Sequence, residues 1–218
     1  MSEIYGKQHE KMQEKFDTKQ LADTVGENIV QSEISDENKS FIESRDMFFL
    51  TTVDHRGYPT CSYKGGNPGF VKVIDSKTLA FPSYDGNGMF LSMGNITACN
   101  KIGLLFINFE IPHRTRVHGI ATVSRDDALI EDFHEAELIV RVNITEIFEN
   151  CPRYIHKYKR LETSKYVPQA ECKTPAAQWK RIDVLQDALP KRDQTIADES
   201  GGTITPEEYG ELVRNGKA

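Results

Sequence analysis

Phe48-Phe49-Leu50-Thr51-Thr52-Val53, then Asp54-His55-Arg56-Gly57, then Pro59-Thr60-Cys61-Ser62-Tyr63 is the stretch on which the fold turns. The first six residues are apolar or β-branched, as a strand requires. The next four are turn formers: Asp hydrogen-bonds its own backbone and Gly supplies positive φ. Pro59 then opens a second strand, where its missing N–H is tolerated. The stretch predicts an antiparallel hairpin, and the same pattern recurs downstream. Phe70 to Ile74 and Thr78 to Phe81 flank the turn Asp75-Ser76-Lys77, and Ile102 to Phe109, Thr115 to Val123 and Leu138 to Phe148 read as three further strands. Short strands joined by turns, without strand–helix alternation, predict an antiparallel barrel or sandwich.

Helices are expected around that sheet. Tyr5, Met12, Phe16, Leu21, Val25 and Ile29 give residues 1–30 one weak apolar stripe, predicting a helical arm over 1–34. Ser35 is a good N-cap for a second helix carrying Phe41 and Ile42. Phe90 to Ala98 and Asp126 to Ala136 predict helices between strands. Past Cys151 the pattern changes: Tyr154 to Leu161 and Ala176 to Leu189, with Trp179, predict helices in a polar, proline-interrupted tail. The expected organisation is an arm (1–34), a central domain (35–165) and a C-terminal helical extension (166–218).

Composition restricts function. The net charge is −6, with six Lys and Arg against eleven Asp and Glu in residues 1–50, so the rest of the chain is nearly neutral. A general nucleic-acid binder is not expected, nor a binder of anionic membranes. No apolar run approaches the ~20 residues of a membrane span. The N-terminus lacks a signal-peptide core, so a cytoplasmic protein is expected. Cys61, Cys99, Cys151 and Cys172 form no CxxC pair, and free thiols rather than a zinc site follow.

Four segments carry potential chemistry. Ser83-Tyr84-Asp85-Gly86-Asn87-Gly88-Met89 lies between a strand and a helix start. Its glycines permit a tight turn, and helix N–H groups favour an anion. Ser83, Tyr84, Asn87, Ser92 and Asn95 add side-chain donors, although from composition alone a plain turn is the favoured explanation. In His113-Arg114-Thr115-Arg116-Val117-His118-Gly119, strand alternation puts Arg114, Arg116 and His118 on one face. That face needs water or an anion, and an exposed strand is the simpler explanation. Ser62-Tyr63-Lys64 ends a strand beside Gly65-Gly66, within reach of an anion. Cys151 has no evident base beside it and reads as an ordinary thiol. No metal site is expected.

In order, Arg56-Gly57-Tyr58-Pro59, Tyr63-Lys64-Gly65-Gly66, Tyr84-Asp85-Gly86-Asn87-Gly88, Ser92-Met93-Gly94-Asn95, Arg114-Thr115-Arg116-Val117-His118-Gly119 and Cys151-Pro152-Arg153-Tyr154 resemble the pyridoxamine 5'-phosphate oxidase-related flavin-binding family over roughly residues 35–165. The resemblance implies a mainly β fold, the six-stranded antiparallel split β-barrel with flanking helices. It further implies a homodimer with flavin mononucleotide (FMN) at the subunit interface and a small-molecule substrate or nicotinamide donor. It would set Ser62, Tyr63 and Lys64 along the flavin, and Ser83, Tyr84, Asn87 and Ser92 near its phosphate and ribityl chain. Arg114 and Arg116 would approach the ring or phosphate, one of them open to coming from the partner subunit.

Departures argue against oxidation of pyridoxamine phosphate itself. Thr60-Cys61-Ser62 stands where the vitamin oxidase carries a strand arginine, Asn87-Gly88-Met89 where it carries an Arg-Lys pair, and its C-terminal Arg-x-His has no clear counterpart. The expected function is therefore an FMN-dependent oxidoreductase of unknown substrate. A non-catalytic flavin protein (sensor, carrier or stress protein) and a deazaflavin-binding reductase are the alternatives. Haem would need an axial ligand, for which only His118 and His156 stand in suitable places. On the flavin reading, Arg114→Ala weakens flavin affinity at least tenfold; unchanged affinity in a flavin-fluorescence titration would remove that role from Arg114.

Overall fold

The computed structural model describes residues 4–218, in two units that divide between Leu161 and Glu162. The first unit is built on one antiparallel sheet of seven strands: β1 (Met47–Val53), β2 (Pro59–Gly65), β3 (Lys72–Asp75), β4 (Thr78–Ser83), β5 (Lys101–Asn108), β6 (His113–Ser124) and β7 (Leu138–Asn150). Their order is β2-β1-β5-β6-β7-β4-β3, with β2 and β3 at the edges and the sheet not closed. The fold is mainly β and antiparallel with flanking helices, as expected. It has seven strands rather than six because the short β3 pairs with β4 as its own hairpin.

The deciding hairpin forms in the expected register, from Met47↔Gly65 to Val53↔Pro59. Its turn is held by Asp54. One carboxylate oxygen accepts from the backbone N–H groups of Arg56 and Tyr58, both at 2.9 Å, and the other accepts from the Arg56 guanidinium at 2.6 and 2.9 Å. Gly57 takes φ +86°, which a side chain would resist. The Arg56 guanidinium holds the Asp54 carboxyl below its usual range.

Phe48 sits at the centre of the core. It is fully buried and packs against Phe81 at 4.9 Å, Phe106 at 5.2 Å and Phe70 at 5.7 Å between ring centroids. Alternate residues of β1, β5, β6 and β7 fill the same space, among them Leu50, Leu104, Val117 and Ile147. The opposite residues of those strands form an outer face.

The helical arm is two helices, α1 (Lys7–Lys15) and α2 (Lys19–Asn28), not one. Asp17 at φ +52° breaks the chain between them. The Tyr5 hydroxyl donates to the Ala22 carbonyl at 3.1 Å, closing the pair. The arm joins the first unit through Gln31, which exchanges two backbone bonds with Ile147 at 2.8 and 2.9 Å. Helix α3 (Asp36–Glu43) starts at Ser35, whose hydroxyl accepts from Asn38 N–H. Helix α4 (Leu91–Ala98) links β4 to β5.

Three expected helices do not form. Asp126 to Ala136 contains only a 3-10 turn, Ala128–Asp132, which Asp127 caps by accepting from Leu129 N–H while its carboxylate also takes the Arg141 guanidinium at 2.5 and 2.9 Å. Tyr154 to Leu161 is irregular. Its apolar ends have nothing to cover, with Tyr154 91% and Leu161 96% exposed, and Tyr158 N–H instead bonds the Phe109 carbonyl. In the second unit, Ala176 to Leu189 divides into the 3-10 turns Gln178–Arg181 and Asp183–Ala188. Ile182 between them is extended and bridges Ile204. The short α5 (Ile196–Glu199) and α6 (Pro206–Arg214) follow. Lys180 and Asp193 form a buried ion pair at 2.9 Å there, with the Lys180 amine over the half-buried Trp179 ring.

The packing of Phe48 sets a stability test. Phe48→Ala lowers unfolding free energy by about 3 to 5 kcal/mol, measured by urea denaturation; a loss within 1 kcal/mol would mean that the core is centred elsewhere.

Candidate functional site

A strand places alternate residues on opposite faces. Ser62 and Lys64 of β2 therefore share a side, and Tyr63 between them does not. The Ser62 and Lys64 side chains join Ser83, Tyr84, Asn87 and Ser92 around one cavity of about 260 Å3, completed by Gly86, Gly88, Met89, Phe90, Leu91 and Met93. Six of the nine expected site residues thus meet in one place.

The cavity is shaped for an anion. It opens on the start of α4, whose N-cap residue is Phe90, with no side-chain cap on the first-turn N–H groups among the described residues. Phe90 holds φ +48°, a conformation costing about 1 to 3 kcal/mol for such a residue. The strained turn brings Leu91, Ser92 and Met93 to the cavity wall. Lys64 makes no ion pair among the described residues, and burial pushes its amine down from the ordinary lysine range. A bound anion would relieve that penalty. Ser62 and Ser92 hydroxyls meet at 2.9 Å, leaving each a further donor or acceptor position. The volume lies below the ~300 to 1,000 Å3 of most ligand pockets, which suits a phosphate-sized head better than a whole mononucleotide within one chain.

Asn95, expected as a donor to this cradle, serves another purpose. Its amide donates to Thr52 and Thr60 at 3.0 and 3.1 Å, and those hydroxyls meet at 2.7 Å. This network ties α4 to the β1–β2 hairpin under the cavity. Nothing in the residue types separates a ligand donor from a buried tether.

Tyr63 faces away, edge-on to Phe49 at 6.1 Å between ring centroids. It lines a different hollow with Arg45, Asp46, Tyr158 and Arg160. Arg114 and Arg116 do not line the Ser62–Ser92 cavity either. Both project from the outer face of β6, Arg116 exposed and Arg114 half-buried. His118 follows on the same face, as expected, with Nδ1 at 2.8 Å from the Glu146 carboxylate. Glu146 was not legible as a site residue, because its orientation depends on an irregularity in β7. No group of three or more His, Cys, Asp and Glu among the described residues could hold a metal ion.

The family model described as pyridoxamine 5'-phosphate oxidase matches residues 34–152, more than half of the chain. The chain belongs to this family. That match takes in β1 to β7, α3, α4 and the nine expected cofactor-binding residues. Among solved structures, HupZ of Group A Streptococcus is similar at 18% identity, covering 58% of this chain and 99% of its own, with a TM-score of 0.45. A putative pyridoxamine 5'-phosphate oxidase of Lactobacillus delbrueckii is 22% identical, with coverages of 54% and 95% and a TM-score of 0.44. An FMN-binding protein of Syntrophomonas wolfei is 12% identical, with coverages of 64% and 97% and a TM-score of 0.43. No curated protein matches the sequence. No helix among the described residues is long and apolar enough to cross a membrane.

The Tyr84 phenol gives the cavity a pH signature. Burial pushes it up from 10.0 to about 12, favouring the neutral donor form in the folded state. Its contribution to stability is whole below pH 10 and is lost as pH rises towards 12. In urea titrations the native chain should lose stability over that interval faster than Tyr84→Phe does; parallel curves would place the phenol in water.

Proposed function

We propose that this chain is an FMN-binding flavoprotein that acts as an oxidoreductase on a small molecule, with the flavin phosphate seated between β2, the β4–α4 turn and the start of α4. The observation that carries the reading is the uncapped α4 N-terminus beside a desolvated Lys64 and the paired Ser62 and Ser92 hydroxyls. Backbone N–H groups, a cation and hydroxyls converging on one small hollow are what a phosphate monoester requires. Family membership agrees with it. The flavin would supply the redox chemistry; the chain's own groups bind, orient and shield it.

The reading includes a homodimer. The 260 Å3 hollow holds little beyond a phosphate and part of its chain, so the ring of a bound flavin would extend past it. Arg114 and Arg116 lie on the sheet's outer face and would serve a flavin held by a second copy. Their guanidinium charge would stabilise the anionic reduced ring by Coulomb attraction. Four free cysteines fit a reducing cytoplasm, where we place the protein.

An absorbance spectrum of the purified chain, followed by heat release of any chromophore, tests the cofactor. Released FMN supports the proposal, whereas a deazaflavin would replace it with the deazaflavin reductase reading. Oxidation of NADH or NADPH by the loaded chain separates an enzyme from a flavin carrier. Ser92→Asp, which sets a negative charge at the cradle, should weaken FMN binding at least tenfold; unaltered affinity would move the phosphate elsewhere.

A further inference from the structure

We infer that Cys151 is a modification site, a thiol that takes a small anionic disulfide from a hollow beside the helical arm and keeps half of it as a mixed disulfide. The hollow has a volume of about 650 Å3 and lies where α2 meets the ends of β6 and β7. It shares no residue with the Ser62–Ser92 cavity, and the chemistry needs no bound flavin.

Part of its lining is apolar. Val25 and Ile29 come from the arm, and Pro112 and Pro152 flank the strand ends. Val25 is 40% and Ile29 43% exposed, so this part lies open to an apolar body. The rest is polar, from His113, Glu149 and Asn150. The His113 ring packs on Phe41 at 4.2 Å between centroids, and its Nε2 lies 3.3 Å from the Glu149 carboxylate. Strand alternation sets His113 and Glu149 on the side of Thr115, which pairs with Glu149, and not on the outer side of Arg116. Thr115 is fully buried on that side, and its hydroxyl has no hydrogen-bond partner. The enclosed Oδ1 of Asn150 has none either. Native chains satisfy most buried polar atoms, so two orphans at one hollow mark a place for a polar occupant.

Cys151 lines the same hollow and is exposed. No base stands beside it in the sequence, which reads as an ordinary thiol; the fold supplies a cation instead. The chain turns over Pro152–Ile155, closed by Ile155 N–H bonding the Pro152 carbonyl at 3.1 Å, with Tyr154 at φ +69°. Within that turn Arg153 comes back on Cys151, and its Nε donates to Sγ at 3.4 Å. The Arg153 hydrogen bond, with help from the Arg114 charge, holds the Cys151 thiol below its ordinary range. More of it is therefore thiolate, the form that attacks sulfur. The same two guanidinium groups attract an anionic reagent. Cys61 and Cys172 are also exposed, but neither thiol accepts a hydrogen bond from a cation among the described residues.

The step is thiol–disulfide exchange. The Cys151 thiolate attacks one sulfur of the small disulfide. A new S–S bond forms to Cys151 as the old S–S bond breaks, and the electron pair of the broken bond leaves on the departing thiolate. That thiolate takes a proton from water, which balances the proton Cys151 released on ionising. Cys151 is oxidised and the departing half of the reagent is reduced. The retained half lies along Val25 and Ile29 with its acidic group toward the arginines. A small thiol reverses the exchange by the same route.

The test compares two forms of the full chain. One keeps only Cys151 (Cys61→Ser, Cys99→Ser, Cys172→Ser), and the other keeps only Cys172 (Cys61→Ser, Cys99→Ser, Cys151→Ser). Each is mixed with excess 5,5'-dithiobis(2-nitrobenzoate), an aromatic disulfide with two carboxylates, and the released thiolate is followed by absorbance. The Cys151 form should react about tenfold faster than the Cys172 form. Its rate should level off as reagent rises, because the reagent occupies the hollow before it reacts. Arg153→Ala should remove most of the advantage, and Ile29→Asp should make the rate linear in reagent. With cystamine, a cationic disulfide, the advantage over Cys172 should shrink. Peptide mapping of the unsubstituted chain after glutathione disulfide treatment, which is independent of the serine changes, should find the adduct on Cys151 before Cys172. The site is overturned if Cys151 reacts no faster than Cys172, if its rate stays linear in reagent, if Arg153→Ala reacts like its parent, if cystamine keeps the full advantage, or if the adduct appears first on Cys172.

Discussion

The amide of Asn95, buried between two threonine hydroxyls, is the contact on which the cradle depends. A buried amide costs free energy unless its donors are satisfied, so its network tolerates few arrangements. Here the partners are Thr52 on β1 and Thr60 on β2, and meeting both fixes α4 against the hairpin. With the helix axis fixed, its uncapped first turn can point only into the hollow beside Ser62 and Lys64. The strain at Phe90 is tolerated because the helix behind it is fixed. A cradle built this way is preorganised: its N–H groups are directed before any anion arrives, and binding need not order them.

The sheet has two working sides for the same reason that it has a core. Along β6, Thr115, Val117 and Ala121 go inward and are buried, which sends Arg114, Arg116 and His118 outward together. Apolar burial on one face therefore gathers polar chemistry on the other without any interaction between the polar groups themselves. The inner side carries the Ser62–Ser92 cavity near α4, and the outer side carries Arg114, Arg116 and His118.

Much of this was legible in the sequence, and the limits have identifiable causes. The β1–β2 hairpin could be read with its turn, because Asp54 and Gly57 act locally and their bonds span four residues. The cavity residues Ser62, Lys64, Ser83, Tyr84, Asn87 and Ser92 could be read from turn chemistry and from the family likeness. Tyr63 was grouped with its neighbours although strand alternation sends it to the other face. The single expected helix over residues 176–189 failed because Ile182 pairs with Ile204, a contact across more than twenty residues that periodicity cannot register. Asn95 and Glu146 show the same limit at the level of side chains, because their partners come from other strands.

The β6–β7 register shifts between His118 and Gly119, so Thr145 is an extra residue in β7, and this has a consequence for how such a chain can change over time. Substitutions in β7 alter one contact each, but a deletion of a single codon there would restore strict alternation and re-address the side chains on one flank of the shift. The pairing of His118 with a carboxylate is thus written in the length of the strand as much as in its letters. Relatives that differ by one residue between Asn143 and Glu149 would present a different outer surface even with every neighbouring amino acid retained.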